Sequence, residues 1–171
     1  MMKGMAVVAR LLVMLPFAAQ MTSVTRTGAT EIIVQRHFAA PPAQVFAGLT
    51  EPELLRKWMS ANGRELTDAQ VDLRSGGSFR YVFRSPSGRT FGMYGTYREV
   101  VPGRRIVHTE AYDGYKWDPL VTTIELSDDA GGTSLVMSIR YPSKEICDTD
   151  FPNVQSGTGD GFSRMEKLLA K

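Results

Sequence analysis

His108 and Glu110 stand two residues apart in a stretch rich in β-branched side chains, so on a strand they share one face with Ile106 and Tyr112. An imidazole titrating near neutral pH beside a carboxylate can act as acid or base if that face points inward. Turned outward, the same pair is solvated and has no consequence. The sequence leaves both orientations open.

A second feature is the aromatic stripe Phe79, Tyr81 and Phe83 at alternate positions, interleaved with Arg80 and Arg84. It reads either as plain core or as the wall of an apolar pocket with a few placed polar groups. Met93, Met137 and Met165 suit both readings, because flexible thioethers fill irregular space. Trp58 ends a short amphipathic stretch and caps the same space or core. Trp117 lies in the turn-rich segment Tyr112-Asp-Gly-Tyr-Lys-Trp-Asp-Pro119, where a loop aromatic marks a cavity mouth or a partner surface. Arg80, Arg84 and Arg98 form a basic patch on the opposite strand face, expected to be solvated.

Other chemistry is excluded more firmly. Cys147 is the single cysteine, so no internal disulfide can form. With only Lys144 close by in sequence, it reads as a spectator thiol. Two histidines and that cysteine are too few for a four-ligand Cys/His zinc site. Gly157-x-Gly159-x-Gly161 has neither the spacing nor the strand–turn–helix setting of a phosphate loop.

The elements that must position these residues follow from periodicity. Glu31 to Phe38 reads as a first strand. Pro41-Pro42 then opens a short helix with Val45, Phe46 and Leu49 on its apolar face, since proline is tolerated in a first turn. A second short helix starts with a capping box at Thr50-x-x-Glu53 and carries Leu54, Leu55 and Trp58 at helical spacing. After residue 68 the period becomes two. Ser85-Pro-Ser-Gly88 turns one hairpin, Pro102-Gly103 the next, and Asp128-Asp129-Ala130-Gly131-Gly132 a third. Short connections of this kind demand antiparallel strands. Val154, Thr158, Phe162, Met165 and Leu169 then recur at steps of three or four. Either one long helix runs through the three glycines, or it begins only near Asp160.

Composition bounds the class. The chain of 171 residues suits one domain, and 43% hydrophobic with 22% charged residues is ordinary for a folded protein. Twenty basic residues face eighteen acidic ones, and Lys3 and Arg10 near the N-terminus supply the whole excess. The body is therefore neutral and carries no basic face for nucleic acid. Residues 6–19 are the one long apolar run, too short and too charged by Arg10 for a stable membrane span. They read as a signal-like or anchoring segment, as residues upstream of a true start near Met21, or as an ordered extension.

Taken in order, Pro41-Pro42 with Val45-Phe46, Pro52-x-x-Leu55-x-x-Trp58, Asp72-x-Arg74-x-Gly76-Gly77, Gly88 and Gly95, Pro102-Gly103-Arg104-Arg105-Ile106, Gly131-Gly132-Thr133-x-Leu135 and the segment from Gly157 to Leu169 form a set. This set resembles the START-like, Bet v 1-like helix-grip superfamily, within it the branch named after the C-terminal domain of the activator of Hsp90 ATPase, across roughly residues 31–170. The resemblance implies an α+β helix-grip fold: a curved antiparallel sheet of about six or seven strands wrapped around a long C-terminal helix, with two short helices after the first strand. It places the domain at 29–171, behind an N-terminal extension of residues 1–28.

It also implies a deep apolar cavity between sheet and helix, and no universal catalytic residues. The expected function is non-catalytic binding of a hydrophobic or aromatic small molecule there. The ligand-binding candidates are Trp58, Phe79, Tyr81, Phe83, Met93 and His108, with Tyr112, Trp117, Met137, Phe162 and Met165. No cofactor or metal is expected. Two other readings stay open: a cyclase or hydrolase using His108 as acid and base, and an Hsp90-type co-chaperone module. A homodimer or a chaperone contact is left open as a partner. The cytoplasm is the expected location, with export or anchoring the alternative if residues 1–20 are a genuine signal.

Overall fold

Alternation of apolar and polar residues lays down eight strands in the computed structural model, which describes residues 21–60, 63–129 and 131–170. The strands are β1 (Ser23–Thr27), β2 (Glu31–Phe38), β3 (Glu65–Val71), β4 (Ser78–Arg84), β5 (Thr90–Val101), β6 (Arg105–Tyr112), β7 (Leu120–Asp129) and β8 (Gly132–Arg140). Helices α1 (Pro42–Thr50) and α2 (Pro52–Met59) follow β2, and α3 (Lys144–Leu169) closes the chain. The sheet order is β1-β2-β8-β7-β6-β5-β4-β3, and every pairing is antiparallel. The fold is thus the expected α+β arrangement, a curved antiparallel sheet with a long C-terminal helix. The strand count is eight, one above the upper expectation, because β1 folds back onto β2 with Val24 opposite Val34. Readings that concern residues 1–20 lie outside the described residues.

One face of the sheet builds the core. On β2, Ile32, Val34 and Phe38 are fully buried; on β4 the stripe Phe79, Tyr81 and Phe83 is buried; Ile106 on β6 and Ile124 on β7 continue the layer. Burying each such side chain contributes about 1.5–3 kcal/mol. The turn from β4 to β5 uses Gly88 at φ 81°, a left-handed conformation that glycine adopts without steric cost. Gly95 has a different reason: a Cβ there would sit 1.8 Å from the Thr109 carbonyl oxygen and 2.8 Å from the Phe79 ring.

One local expectation is corrected, one gains partners and one open alternative is settled. Thr50 does not cap α2. Its hydroxyl donates to the Phe46 carbonyl at 2.8 Å within α1, and the extended Glu51 precedes Pro52 instead. The arginines of β4 lie on the exposed face, as expected, and there they are ion-paired: Arg80 with Asp113 at 2.7 Å and Arg84 with Glu65. The last helix neither starts near Asp160 nor breaks at its glycines. It begins after Ser143, whose side chain accepts from the Ile146 amide at 3.4 Å, and it passes through Pro152, Gly157, Gly159 and Gly161.

Contacts distant in sequence hold that helix. Cys147 in its first turns is fully buried, and the Arg26 guanidinium of β1 donates to its sulfur at 3.6 Å, pairs with Asp148 and lies 5.0 Å from the Phe151 ring centroid. Farther along, Gly161 lets the Trp58 ring approach; a Cβ at that position would lie 3.2 Å from it.

Candidate functional site

β6 is the strand that decides orientation. The β5–β6 register places Met93 opposite Tyr112, and the β4–β5 register places Tyr81 opposite Met93. His108 and Glu110 therefore face the side of the sheet that carries the aromatic stripe. Their side chains are only 12% and 15% exposed, so the inward orientation left open by the sequence is the one found. His108 Nε2 lies 3.5 Å from the Glu110 carboxylate, which also accepts the Tyr112 hydroxyl. The imidazole meets the Phe79 ring edge-on at 5.2 Å between centroids and the Tyr97 ring at 6.1 Å.

A proton on Nε2, facing the carboxylate, leaves Nδ1 as an acceptor in the neutral ring. Nδ1 is buried and has no protein partner. Around it, burial pushes the hydroxyls of Tyr81, Tyr112 and Tyr141 to ionise well above the ordinary tyrosine range and raises that of Tyr97. The negative charge of Glu110 adds to the rise at Tyr81, Tyr112 and Tyr141, and that of Asp150 at Tyr112 and Tyr141. The Tyr141 hydroxyl donates to Asp150 on α3 at 2.7 Å. These side chains are therefore neutral hydrogen-bonding groups, set among rings and beside two carboxylates.

The sequence candidates fall into two groups. Phe79, Tyr81, Phe83, Met93, His108 and Tyr112 share the concave face of β4 to β6, with Phe91, Met93 and Tyr112 only partly buried. Met137 joins them from β8, also partly buried. Trp117 reaches the same end through a chain of ring contacts: its centroid lies 4.2 Å from that of Tyr115, tilted by 42°, and Tyr115 meets Tyr112 edge-on at 6.0 Å. The indole nitrogen of Trp117 is likewise buried without a protein partner.

Trp58, Phe162 and Met165 pack elsewhere. Trp58 donates to the Gly48 carbonyl at 2.8 Å and contacts Phe162, which packs edge-on against Phe38 at 5.5 Å. Met165 is fully buried against Gly48. This group pins α1 and α2 to α3.

Three site residues escaped the sequence reading. Tyr97 joins the concave face just before a bulge in β5, between Tyr97 and Glu99, that resets the alternation. Tyr141 is the first residue after β8, and Asp150 lies in the stretch of α3 that precedes the recognised apolar stripe. Tyr97 continues the period-two row of Phe91, Met93 and Gly95 and is legible there, whereas no signal of period or spacing marks Tyr141 or Asp150. On the opposite face, a shallow open groove of about 520 Å³ runs past Arg80, Tyr94, Thr96 and Thr109. Its one charged group, Arg80, is already neutralised by Asp113, and its surface is open to solvent.

Comparison with known proteins now has a geometry to meet. The family model described as Activator of Hsp90 ATPase homolog 1-like protein matches residues 39–170. The chain belongs to this family. A crystal structure of a Rhodobacter sphaeroides protein is 31% identical, covers 88% of this chain and 99% of its own, and superposes with a TM-score of 0.83. A Nitrosomonas europaea protein follows at 28% identity, 85% and 97% coverage and a TM-score of 0.76. The AHSA1-like protein from Aeromonas hydrophila, at 18% identity with 82% and 92% coverage and a TM-score of 0.66, shows the fold alone. No curated protein matches.

Family membership bears out the resemblance to the helix-grip superfamily and is consistent with ligand binding or with a co-chaperone-like role. Among the described residues, no helix is long and apolar enough to cross a membrane. No group of three or more His, Cys, Asp or Glu among them is placed to hold a metal ion.

Proposed function

We propose that the concave face between β4–β8 and α3 binds a hydrophobic or aromatic small molecule without transforming it. The observation that carries this reading is the His108 Nδ1 atom, buried between aromatic rings with no protein partner. Leaving such an atom unsatisfied costs about 1–3 kcal/mol. A ligand donor, or an enclosed water that the ligand displaces, removes that cost.

The surrounding chemistry has the composition of a small-molecule site: apolar walls from Phe79, Phe83, Phe91 and Met93, and a few oriented polar groups from Tyr81, Tyr97, His108 and Tyr112. Partial burial of Met93, Tyr112 and Met137 on an inward face supports space beside them. The rings near Trp117 and Tyr115 would form the entrance.

Titration with the neutral dye Nile red, followed through methionine methyl NMR signals, tests the assignment. Saturable binding should move the Met93 and Met137 methyls and leave that of Met165 in place, because Met165 is packed against α1. Absence of saturable binding, or shifts confined to residues of the outer groove, overturns it.

A further inference from the structure

We propose that the molecule taken up on this face is a hydrophobic amine, bound as its ammonium ion. The inference rests on the binding reading above and names the charge of its ligand. It starts from the charges that the inward rows carry. On β4 to β8 those rows hold Glu110, Asp128 at the exposed end of β7 and, among the described residues, no lysine or arginine. From α3 comes a second carboxylate, Asp150, which the Tyr141 hydroxyl and, at 3.3 Å, the Asn153 side-chain amide hold in place. Each carboxylate meets a tyrosine hydroxyl, Glu110 that of Tyr112 and Asp150 that of Tyr141.

The nearby arginines are engaged elsewhere. Arg36 pairs with Glu166, Arg80 with Asp113 and Arg84 with Glu65. A carboxylate withdrawn from water requires a positive partner or several donors. Glu110 has one hydroxyl donor and an imidazole at 3.5 Å.

His108 makes the same demand independently. In the neutral ring with its proton on Nε2, facing Glu110, Nδ1 is a buried acceptor that an N–H or O–H donor would satisfy. An ammonium group supplies three N–H donors and a positive charge, and the faces of Tyr81, Tyr97 and Phe79 attract such a cation when it comes within about 6 Å of a ring. An anionic lipid head or aromatic acid would meet two carboxylates and no cation. A neutral alcohol would satisfy Nδ1 but leave the charge of Glu110 uncompensated.

The test compares three ligands of similar size by calorimetry at neutral pH: para-butylbenzylamine, para-butylbenzyl alcohol and para-butylbenzoate. On the wild-type protein the amine should bind about tenfold tighter than the alcohol, the effect of one charge-assisted contact, and the benzoate most weakly. Glu110→Gln and Asp150→Asn should each shrink the amine-to-alcohol ratio toward one, through a loss of amine affinity larger than any change for the alcohol. Alcohol or benzoate binding as tightly as the amine overturns the amine assignment and leaves the binding face standing. A ratio unchanged in both variants does the same. If none of the three binds the wild type, the binding face itself fails and the amine with it.

Discussion

The Arg36 guanidinium, on the inward face of β2, pairs with the Glu166 carboxylate of α3, with only 4% and 19% of the two side chains exposed. Arg36 also donates to Thr22 at 2.9 Å and to Ser163 at 3.3 Å, and Glu166 accepts the Ala39 amide at 3.2 Å. One charge pair thus joins the sheet, the β2–α1 connection and the last turns of the helix.

Removing half of that pair leaves the other half charged and buried, which is costlier than removing both. Glu166→Ala should destabilise the protein by about 3–5 kcal/mol, whereas the double change Arg36→Met with Glu166→Leu should recover most of the loss. Urea unfolding of the three proteins checks this. Equal stability of Glu166→Ala and wild type would show that the pair does not hold α3.

Two glycines should respond in opposite directions. Gly157 lies inside α3 with nothing within 4 Å of a built Cβ, so Gly157→Ala should stabilise by about 0.5–1 kcal/mol through the lower backbone entropy of the unfolded chain. Gly95→Ala would drive a methyl group into the Thr109 carbonyl at 1.8 Å and should cost several-fold more. Thermal unfolding midpoints of both variants, measured against wild type, decide the signs.

The sequence shows what is periodic and hides what is made by contact. The stripe Phe79–Phe83 and the turn at Gly88 are legible because strand alternation and glycine stereochemistry are local. Strand β1 is not legible: SVTRT is polar and mostly exposed, and it is a strand because β2 offers it a free edge. The first ten residues of α3 are equally hidden. Pro152 argues against a helix there, and the Arg26 contacts with Asp148 and Phe151, more than a hundred residues apart in sequence, override it. For the site, the spacing of His108 and Glu110 predicts a shared face, but only the register of β5 with β6 tells which face it is.

Acid should weaken the anchor of α3 in a defined window. Lys144 and Arg26 hold the Asp148 carboxyl below its ordinary range. Its contribution is present above the unfolded carboxylate pKa of about 3.9 and is lost as pH falls through the lower folded value. Wild type should therefore exceed Asp148→Asn in urea midpoint at neutral pH by a modest margin, and the gap should close below about pH 4. A gap that persists or widens in acid would mean that the carboxylate charge is not what secures this end of the helix.

At the alkaline end the buried tyrosines set the behaviour. Burial first, and then the charges of Glu110 and Asp150, push Tyr112 and Tyr141 to ionise well above the ordinary range, and burial with Glu110 does so at Tyr81. A pKa raised in the folded state contributes stability in full below the unfolded value of about 10, and that stability declines as pH rises beyond it. Phenolate absorbance of these buried rings should therefore rise in a late second cooperative step that coincides with loss of far-ultraviolet circular dichroism. With the fold intact, Glu110→Gln should bring the ionisation of Tyr112 down toward the ordinary range, because the carboxylate charge that opposes the phenolate is gone. The geometry requires this shift, since Glu110 accepts the Tyr112 hydroxyl directly. Unaltered tyrosine titration in Glu110→Gln would place the carboxylate away from the ring and remove the charge argument for this face.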